Sequence, residues 1–198
     1  MKAEKYKAET PKGTLQYNIS GNGKPNIVLI NGGSGPIEGW MKILPAISES
    51  SSAFSYNRFG VAGSDKPNVS QDGFNILNTL RVAITSVGFE PPFLLVGHSL
   101  CGLYANLYAR LYPNEVAGIV FLESSTTKAI SLNEYQGKAV KTINKVFKLF
   151  DSLSSHKQFS EVNFVKLFIK SIKLIHFPNT CICHYWWTRK SNDARGNT

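Results

Sequence analysis

The first two thirds of the chain alternate short apolar runs with segments in which apolar residues recur at helical spacing. Residues 27–30 form a continuous apolar run, typical of a strand that is buried on both faces of a sheet. Residues 53–56 and 116–122 are two further predicted strands, and residues 74–87 carry leucine, isoleucine and valine at helical spacing. Strands that alternate with helices predict an α/β fold with a doubly wound, mostly parallel sheet.

A strand, a sharp turn and a helix are predicted around Ser99. The apolar run that begins at residue 93 breaks at Gly97, and a helical pattern follows over residues 100–112. Gly97 precedes the serine by two positions and Cys101 follows it by two, so that no large side chain crowds the turn. This pattern is typical of a nucleophile elbow, in which a strained turn lifts the serine hydroxyl above the sheet edge. Most such elbows have glycine where this chain has Cys101, which is a small departure.

Four segments in this order resemble the α/β-hydrolase superfamily, over about residues 13–125. Residues 31–33, Asn-Gly-Gly, stand where the family has its His-Gly-x oxyanion loop. Residues 56–65 are similar to the family's Tyr-Asp-x-x-Gly-x-Gly-x-Ser loop, and residues 97–102 match the elbow. Residues 120–124 resemble the strand that ends in an acidic residue. The resemblance implies the family's fold and a hydrolytic activity.

The resemblance also implies roles for individual residues. Ser99 is the expected nucleophile, which favours acyl transfer through an acyl-enzyme over the chemistry of family members that use aspartate. The backbone N–H groups of Leu100 and Gly33 are the expected oxyanion donors. The other residues of the elbow are Gly97, His98, Cys101 and Gly102.

The acid and the base of a catalytic triad stay open in the sequence. Glu123 ends a predicted strand at the same sheet edge as Ser99, where it serves as the triad acid, lines the site or caps the following segment. His98 adjoins the serine, and the resemblance gives this position to packing. The remaining histidines follow no recognisable last strand; they are His156, His176 and His184.

Residues 125–177 are predicted to form a helical cap. Residues 135–150 place apolar side chains on one stripe with lysines mostly opposite, and residues 159–175 continue this pattern. In the family such an insertion lies over the site; contact of a basic amphipathic helix with a membrane surface is the alternative. The chain thus divides into a hydrolase core over residues 1–124, this cap, and an irregular tail over residues 178–198.

The composition of the tail differs from that of the preceding chain. No helical or strand period is visible after Pro178, and Trp186 and Trp187 are adjacent. Because tryptophan has the single codon TGG, these two codons and that of Thr188 give Gly-Gly when read one base later. We therefore interpret the tail as the out-of-frame end of a hydrolase gene. In that case the last strands and the triad histidine are missing, and self-association through an unpaired sheet edge is expected.

Composition predicts one domain with a core of ordinary size, since 42% of the 198 residues are hydrophobic. The N-terminus has no apolar secretory segment and no stretch is long enough to span a membrane, which favours the cytoplasm. Three cysteines do not form a disulfide framework. The net charge of +9 comes without nucleic-acid-binding motifs, and we attribute it to the lysine face of a helix.

Two functions follow from these observations. The first is a serine hydrolase that transfers the acyl group of a small ester- or amide-like substrate to water. The alternative is a truncated, catalytically impaired scaffold that at most binds a ligand or partner. A small-molecule substrate is the expected partner, without nucleic acid, and no cofactor or metal is expected, because Cys181, Cys183 and His184 are too closely spaced for a typical zinc site.

Overall fold

The computed structural model describes residues 4–33, 35–124 and 181–185, the last of these as backbone only. Its strands are β1 (Tyr6–Thr10), β2 (Gly13–Ser20), β3 (Asn26–Ile30), β4 (Ser52–Tyr56), β5 (Phe93–His98), β6 (Val116–Leu122) and β7 (Cys181–Tyr185). Its α-helices are α1 (Leu44–Ser48), α2 (Gly73–Ser86) and α3 (Gly102–Leu111). Short 3₁₀ helices cover Ile37–Trp40, Ser99–Cys101 and Pro113–Glu115.

The seven strands form one sheet in the order β1-β2-β4-β3-β5-β6-β7. β2 is antiparallel to both β1 and β4, whereas all pairs from β4 to β7 are parallel. The carboxyl ends of β3, β5 and β6 therefore meet at one edge of the sheet, where ligands bind in open α/β sheets. The predicted α/β fold with a mostly parallel sheet is confirmed.

The core lies on both faces of the sheet. On one face, α2 and α3 pack through leucine, isoleucine, alanine and tyrosine side chains against alternate residues of the strands, including Val28 and Ile30 of β3. On the other face, Trp40 and Leu44 pack against the intervening residues Ile27 and Leu29. Because both faces of β3 are covered, all five of its residues are buried, as its continuous apolar sequence predicts.

Two elements near the N-terminus differ from the sequence analysis. β1 has a charged and polar sequence with only Ala8 buried, so its strand pairing with β2 leaves little hydrophobic signal. Apolar residues at helical spacing predict a single short helix over residues 40–48, with Trp40, Ile43, Leu44 and Ile47 on its inner face. The structure instead has a 3₁₀ helix up to Trp40 and a separate α1. Pro45 stands in the first turn of α1, where its missing N–H costs no hydrogen bond. Ile43, expected on the inner face, is 40% exposed between the two helices.

The C-terminal segments are described only in part. The predicted helical cap, residues 125–177, lies outside the described residues. Within the tail, which is predicted to be irregular, residues Cys181–Tyr185 form β7, parallel to β6. Pairing with a neighbouring strand supplies the backbone hydrogen bonds of β7, and a pattern search along the sequence does not detect such non-local pairing. No described helix is both long and apolar enough to cross a membrane.

Candidate functional site

Ser99 occupies a strained turn between β5 and α3. Its backbone φ is +53°, in the left-handed region that residues with a side chain rarely adopt. The turn is tight because the backbones on its two sides nearly touch. A Cβ added to Gly97 would lie 2.7 Å from the Cα of Gly102 and 2.9 Å from the carbonyl oxygen of Cys101. The half-buried serine side chain is thus presented at the carboxyl end of a central strand.

The glycine-rich loop after β3 folds into a closed turn. The N–H of Gly35 donates to the carbonyl oxygen of Gly32 at 2.8 Å, and the side-chain amide of Asn31 donates to the carbonyl oxygen of Gly35 at 2.8 Å. Gly33 has a φ of +37°, and a Cβ added to it would meet no atom within 4 Å. The backbone of Gly33 therefore borders open space at the tip of this turn, and glycine is the residue best suited to its conformation.

This loop lies directly against the elbow. A Cβ added to Gly32 would lie 3.0 Å from the Cβ of Ser99 and 2.7 Å from the Nδ1 of His98. Only glycine permits so close an approach. The fold thus brings the sequence-predicted Gly33 loop and Ser99 together at one sheet edge.

The second predicted oxyanion donor stands at the start of the elbow helix. Leu100 lies in the 3₁₀ helix Ser99–Cys101, which leads directly into α3. N–H groups in the first turn of a helix have no partner within the helix, and the helix dipole makes this end attractive to negative charge. The half-buried Leu100 therefore places a backbone donor one residue after the serine.

His98 packs against the glycine-rich loop and the 3₁₀ helix that follows it. Its ring meets that of Trp40 edge-on, with centroids 6.3 Å apart and an interplanar angle of 82°. The imidazole also lies over Gly32, as the short distance to a Cβ at that position indicates. The ring thus contacts neighbours on the β3 side of the elbow.

Glu123 stands at the carboxyl end of β6, the strand next to β5. The paired register of the two strands ends at His98 and Leu122, so Ser99 and Glu123 are the first residues beyond it on their respective strands. Glu123 is exposed and has a φ of +45°. The structure therefore brings Ser99 and Glu123 to the same edge of the sheet, on adjacent strands.

Ser124, which follows β6, makes a contact with the elbow that the sequence does not predict. Its hydroxyl donates to the carbonyl oxygen of Gly97 at 2.6 Å. A hydrogen bond between residues 27 positions apart leaves no signal in a sequence pattern.

Cys101 makes a polar contact that a glycine at this position would lack. Its side chain is fully buried, and the guanidinium of Arg58 donates from Nη1 to the sulfur at 2.9 Å. The same guanidinium lies 5.6 Å from the ring centroid of Tyr104 on α3. Arg58 is 8% exposed. The departure from the usual elbow thus joins the loop of residues 57–65 to the helix that follows the nucleophile.

Asn57 connects that loop to the segment that follows the glycine-rich loop. Its fully buried side chain accepts a hydrogen bond from the N–H of Ile37 at 2.8 Å and donates to the Oε1 of Gln16 at 2.8 Å. Ile37 begins the 3₁₀ helix that follows the glycine-rich loop. The amide of Asn57 therefore fixes where that loop leaves the sheet edge.

The candidate histidine bases are described only in part. His156 and His176 lie outside the described residues. The backbone of His184 lies on β7 in register with Phe121 of β6, which is itself paired with Gly97 of β5. The backbone of His184 thus lies two strands away from β5, the strand that leads into the elbow.

Comparison with known proteins identifies the fold independently. The sequence model of a family described as the alpha/beta hydrolase fold matches residues 25–168. An uncharacterised protein of Bacillus subtilis, YbdG, is 26% identical over 105 residues, which are 52% of this chain and 32% of that protein.

The solved structures that are similar to this fold are named for different reactions. A membrane phospholipase A superposes with a TM-score of 0.58 at 20% identity, over 62% of this chain and 40% of the other. A haloalkane dehalogenase variant from Bradyrhizobium elkanii superposes with a TM-score of 0.56 at 21% identity, over 61% and 40%. The chain therefore spans less than half the length of either structure.

Proposed function

Because this chain belongs to the α/β-hydrolase family, we propose that it is a serine hydrolase that acts on a small ester- or amide-like substrate. The observation that carries the proposal is Ser99, held at a φ of +53° on the strand-to-helix turn with the glycine-rich loop packed against it. A strained residue persists only where its surroundings enforce it, and such residues cluster at active sites.

The identity of the residue on the turn supports acyl transfer over the other reactions of the family. Similar structures include both a phospholipase and a dehalogenase, so the fold by itself does not choose the reaction. A serine hydroxyl attacks acyl carbons and yields an ester intermediate that water hydrolyses. Ser99 therefore favours ester or amide hydrolysis over the chemistry of members with an aspartate nucleophile.

The proposed reaction has two halves of the same form. The Ser99 oxygen bonds to the acyl carbon while its proton passes to a histidine base, and the substrate carbonyl oxygen becomes negatively charged. The N–H groups of Leu100 and Gly33 stabilise this oxyanion. The leaving alcohol or amine then departs with the proton from the base. Water repeats the sequence on the acyl-enzyme, releasing the carboxylic acid and restoring the serine.

Activity-based labelling tests this proposal. A fluorophosphonate should label the purified chain with loss of fluoride, and p-nitrophenyl acetate should be hydrolysed at a rate in the usual enzyme range of about 1–1000 per second. Ser99→Ala should abolish both signals, whereas Ser86→Ala, which removes a hydroxyl from the end of α2, should leave both unchanged. Undiminished labelling of Ser99→Ala would overturn the assignment of the nucleophile.

We propose Glu123 as the triad acid, because it lies beyond the paired register on the strand adjacent to that of Ser99. Glu123→Gln keeps the size and removes the charge that would orient and stabilise the protonated histidine. Turnover should then fall on the order of 10,000-fold, as expected for loss of a triad carboxylate. Turnover equal to that of the unmodified chain would show that Glu123 only lines the site.

The base is assigned by replacing each histidine in turn. Alanine variants of His156, His176 and His184 should separate into one that loses nearly all turnover and two that serve as its controls. The side-chain position of none of the three is described, so the geometry does not choose between them. Full activity of all three variants would contradict a base drawn from this set.

A scaffold without turnover is the second candidate function. It is motivated by the sequence, in which none of His156, His176 and His184 follows a recognisable last strand. Such a protein would retain the oxyanion donors and bind an acyl ligand or a partner without hydrolysing it. Burst and steady-state measurements separate the two candidates, because steady turnover on the order of 1 per second excludes the scaffold.

A further inference from the structure

We infer that Ser124 is a positioning residue that sets the distance between Glu123 and the nucleophile. Its hydroxyl donates to the carbonyl oxygen of Gly97 at 2.6 Å, near the short end of the usual range for such bonds. The same oxygen lies 3.4 Å from the carbonyl oxygen of Leu122 on its own strand. The inference rests on the proposed function, since it concerns how the two proposed catalytic residues are held together.

The hydrogen bond of Ser124 joins the two strand ends beyond the last backbone pair of the sheet. Backbone pairing between β5 and β6 ends at His98 and Leu122. Beyond that point the strand ladder does not fix the separation of Ser99 and Glu123. The hydroxyl of Ser124 reaches back across this gap to the strand that carries the elbow, and so ties the two strand ends together.

The elbow is shaped to receive this side chain. A Cβ added to Gly102 would lie 2.4 Å from the Oγ of Ser124 and 2.5 Å from its Cβ. Ser124 thus fills the space that a side chain at the start of α3 would need. Gly97 accepts the hydrogen bond and Gly102 leaves the room for it, so both glycines of the elbow contribute to the contact.

The backbone beside Ser124 indicates that the contact constrains the strand end. Glu123 has a φ of +45°, an unfavourable conformation for a glutamate. Such a conformation persists only when neighbouring contacts enforce it. The hydrogen bond of the next residue, Ser124, is one contact that holds the chain in that turn and directs it toward the elbow.

The role of the Ser124 hydroxyl is tested with variants that remove it and with a pair of variants that have the same side-chain shape with and without a hydroxyl. In Ser124→Ala, kcat for p-nitrophenyl acetate and the rate of fluorophosphonate labelling should fall by about 10- to 100-fold with KM unchanged, because displacement of reacting groups by about 1 Å has this effect. Ser124→Thr, which keeps a hydroxyl, should restore most of the rate. Ser124→Val has the shape of threonine without the hydroxyl and should behave like alanine. Ser86→Ala, which also removes a hydroxyl bonded to a backbone carbonyl, is the matched control.

The outcomes distinguish the inference from the proposed function. If the unmodified chain is labelled at Ser99 and Ser124→Ala has the same kcat and labelling rate, the positioning role alone is overturned. Equal losses of rate in Ser124→Thr and Ser124→Val also overturn it, because the shape of the side chain rather than its hydroxyl would then determine the rate. A wild-type chain that is not labelled at Ser99 overturns the proposed function, and the positioning role with it. Where alanine lowers folding stability too far for assay, the threonine and valine pair carries the test.

Discussion

Replacement of Asn57 by alanine should destabilise the protein more than the removal of a few side-chain atoms suggests. The fully buried side-chain amide makes two hydrogen bonds, each 2.8 Å long. Its oxygen accepts from the N–H of Ile37, and its nitrogen donates to the Oε1 of Gln16. Alanine leaves a buried N–H without a partner, and it also removes the bond to Gln16. A buried unpaired donor costs about 1–3 kcal/mol and a lost neutral hydrogen bond about 1 kcal/mol, so the free energy of unfolding should fall by about 2–4 kcal/mol.

Urea unfolding followed by circular dichroism measures this difference as a shift in midpoint at constant slope. Asn106→Ala on α3 is a suitable control, because the amide of Asn106 accepts a hydrogen bond from Arg110 at 2.8 Å on a half-buried surface. Its effect should stay within about 0.5 kcal/mol. A loss below about 1 kcal/mol for Asn57→Ala would refute the reasoning, since the N–H of Ile37 would then have found another partner.

Three further variants test the elbow, a charged cluster and the strained acid. Gly97→Ala should lower the free energy of unfolding by about 1–3 kcal/mol and abolish labelling, because the added Cβ meets backbone atoms that must move; an unchanged urea midpoint would contradict the close packing. Burial opposes the charge of Glu115, but hydrogen bonds from Arg81 and Tyr108 outweigh it and hold the pKa of this carboxyl below its usual 4.5. The resulting stability is present above pH 4.5 and is lost as the pH falls through the lowered pKa, so the unmodified protein should lose stability more steeply than Glu115→Gln as the pH falls below 4.5; parallel pH profiles would contradict this. Glu123→Gly should raise the free energy of unfolding by about 1 kcal/mol through relief of strain while turnover falls; a decrease in thermal stability would show that φ is not strained there.

The hydrophobic pattern was sufficient for elements that bury a regular face. α2 was predicted over residues 74–87 and spans Gly73–Ser86, because its leucine and isoleucine side chains at helical spacing are all buried. Its start is fixed by Asp72, whose side chain accepts a hydrogen bond from the N–H of Asn75 at 2.9 Å. β1 and β7 were missed because strand pairing, rather than a buried apolar face of their own, defines them.

The site was predictable only as far as local sequence determines it. Ser99, Gly33 and Leu100 follow from the order of a strand, a turn and a helix, which a short motif records. The contacts of Arg58 with Cys101 and of Ser124 with Gly97 join residues that are 43 and 27 positions apart. Such contacts depend on strand order and register, which the sequence of one element does not contain.

Backbone strain adds an argument for the site that is independent of family resemblance. Among the described residues other than glycine, positive φ angles occur at Ala62, Ser99 and Glu123. Two of these three therefore lie at the carboxyl ends of the adjacent strands β5 and β6. Each costs on the order of 1–3 kcal/mol, and glycine at either position would remove much of that cost. A purely structural turn has no need of a hydroxyl or a carboxylate in this conformation. The presence of both on adjacent strands at one sheet edge supports the proposal that Ser99 and Glu123 are catalytic residues.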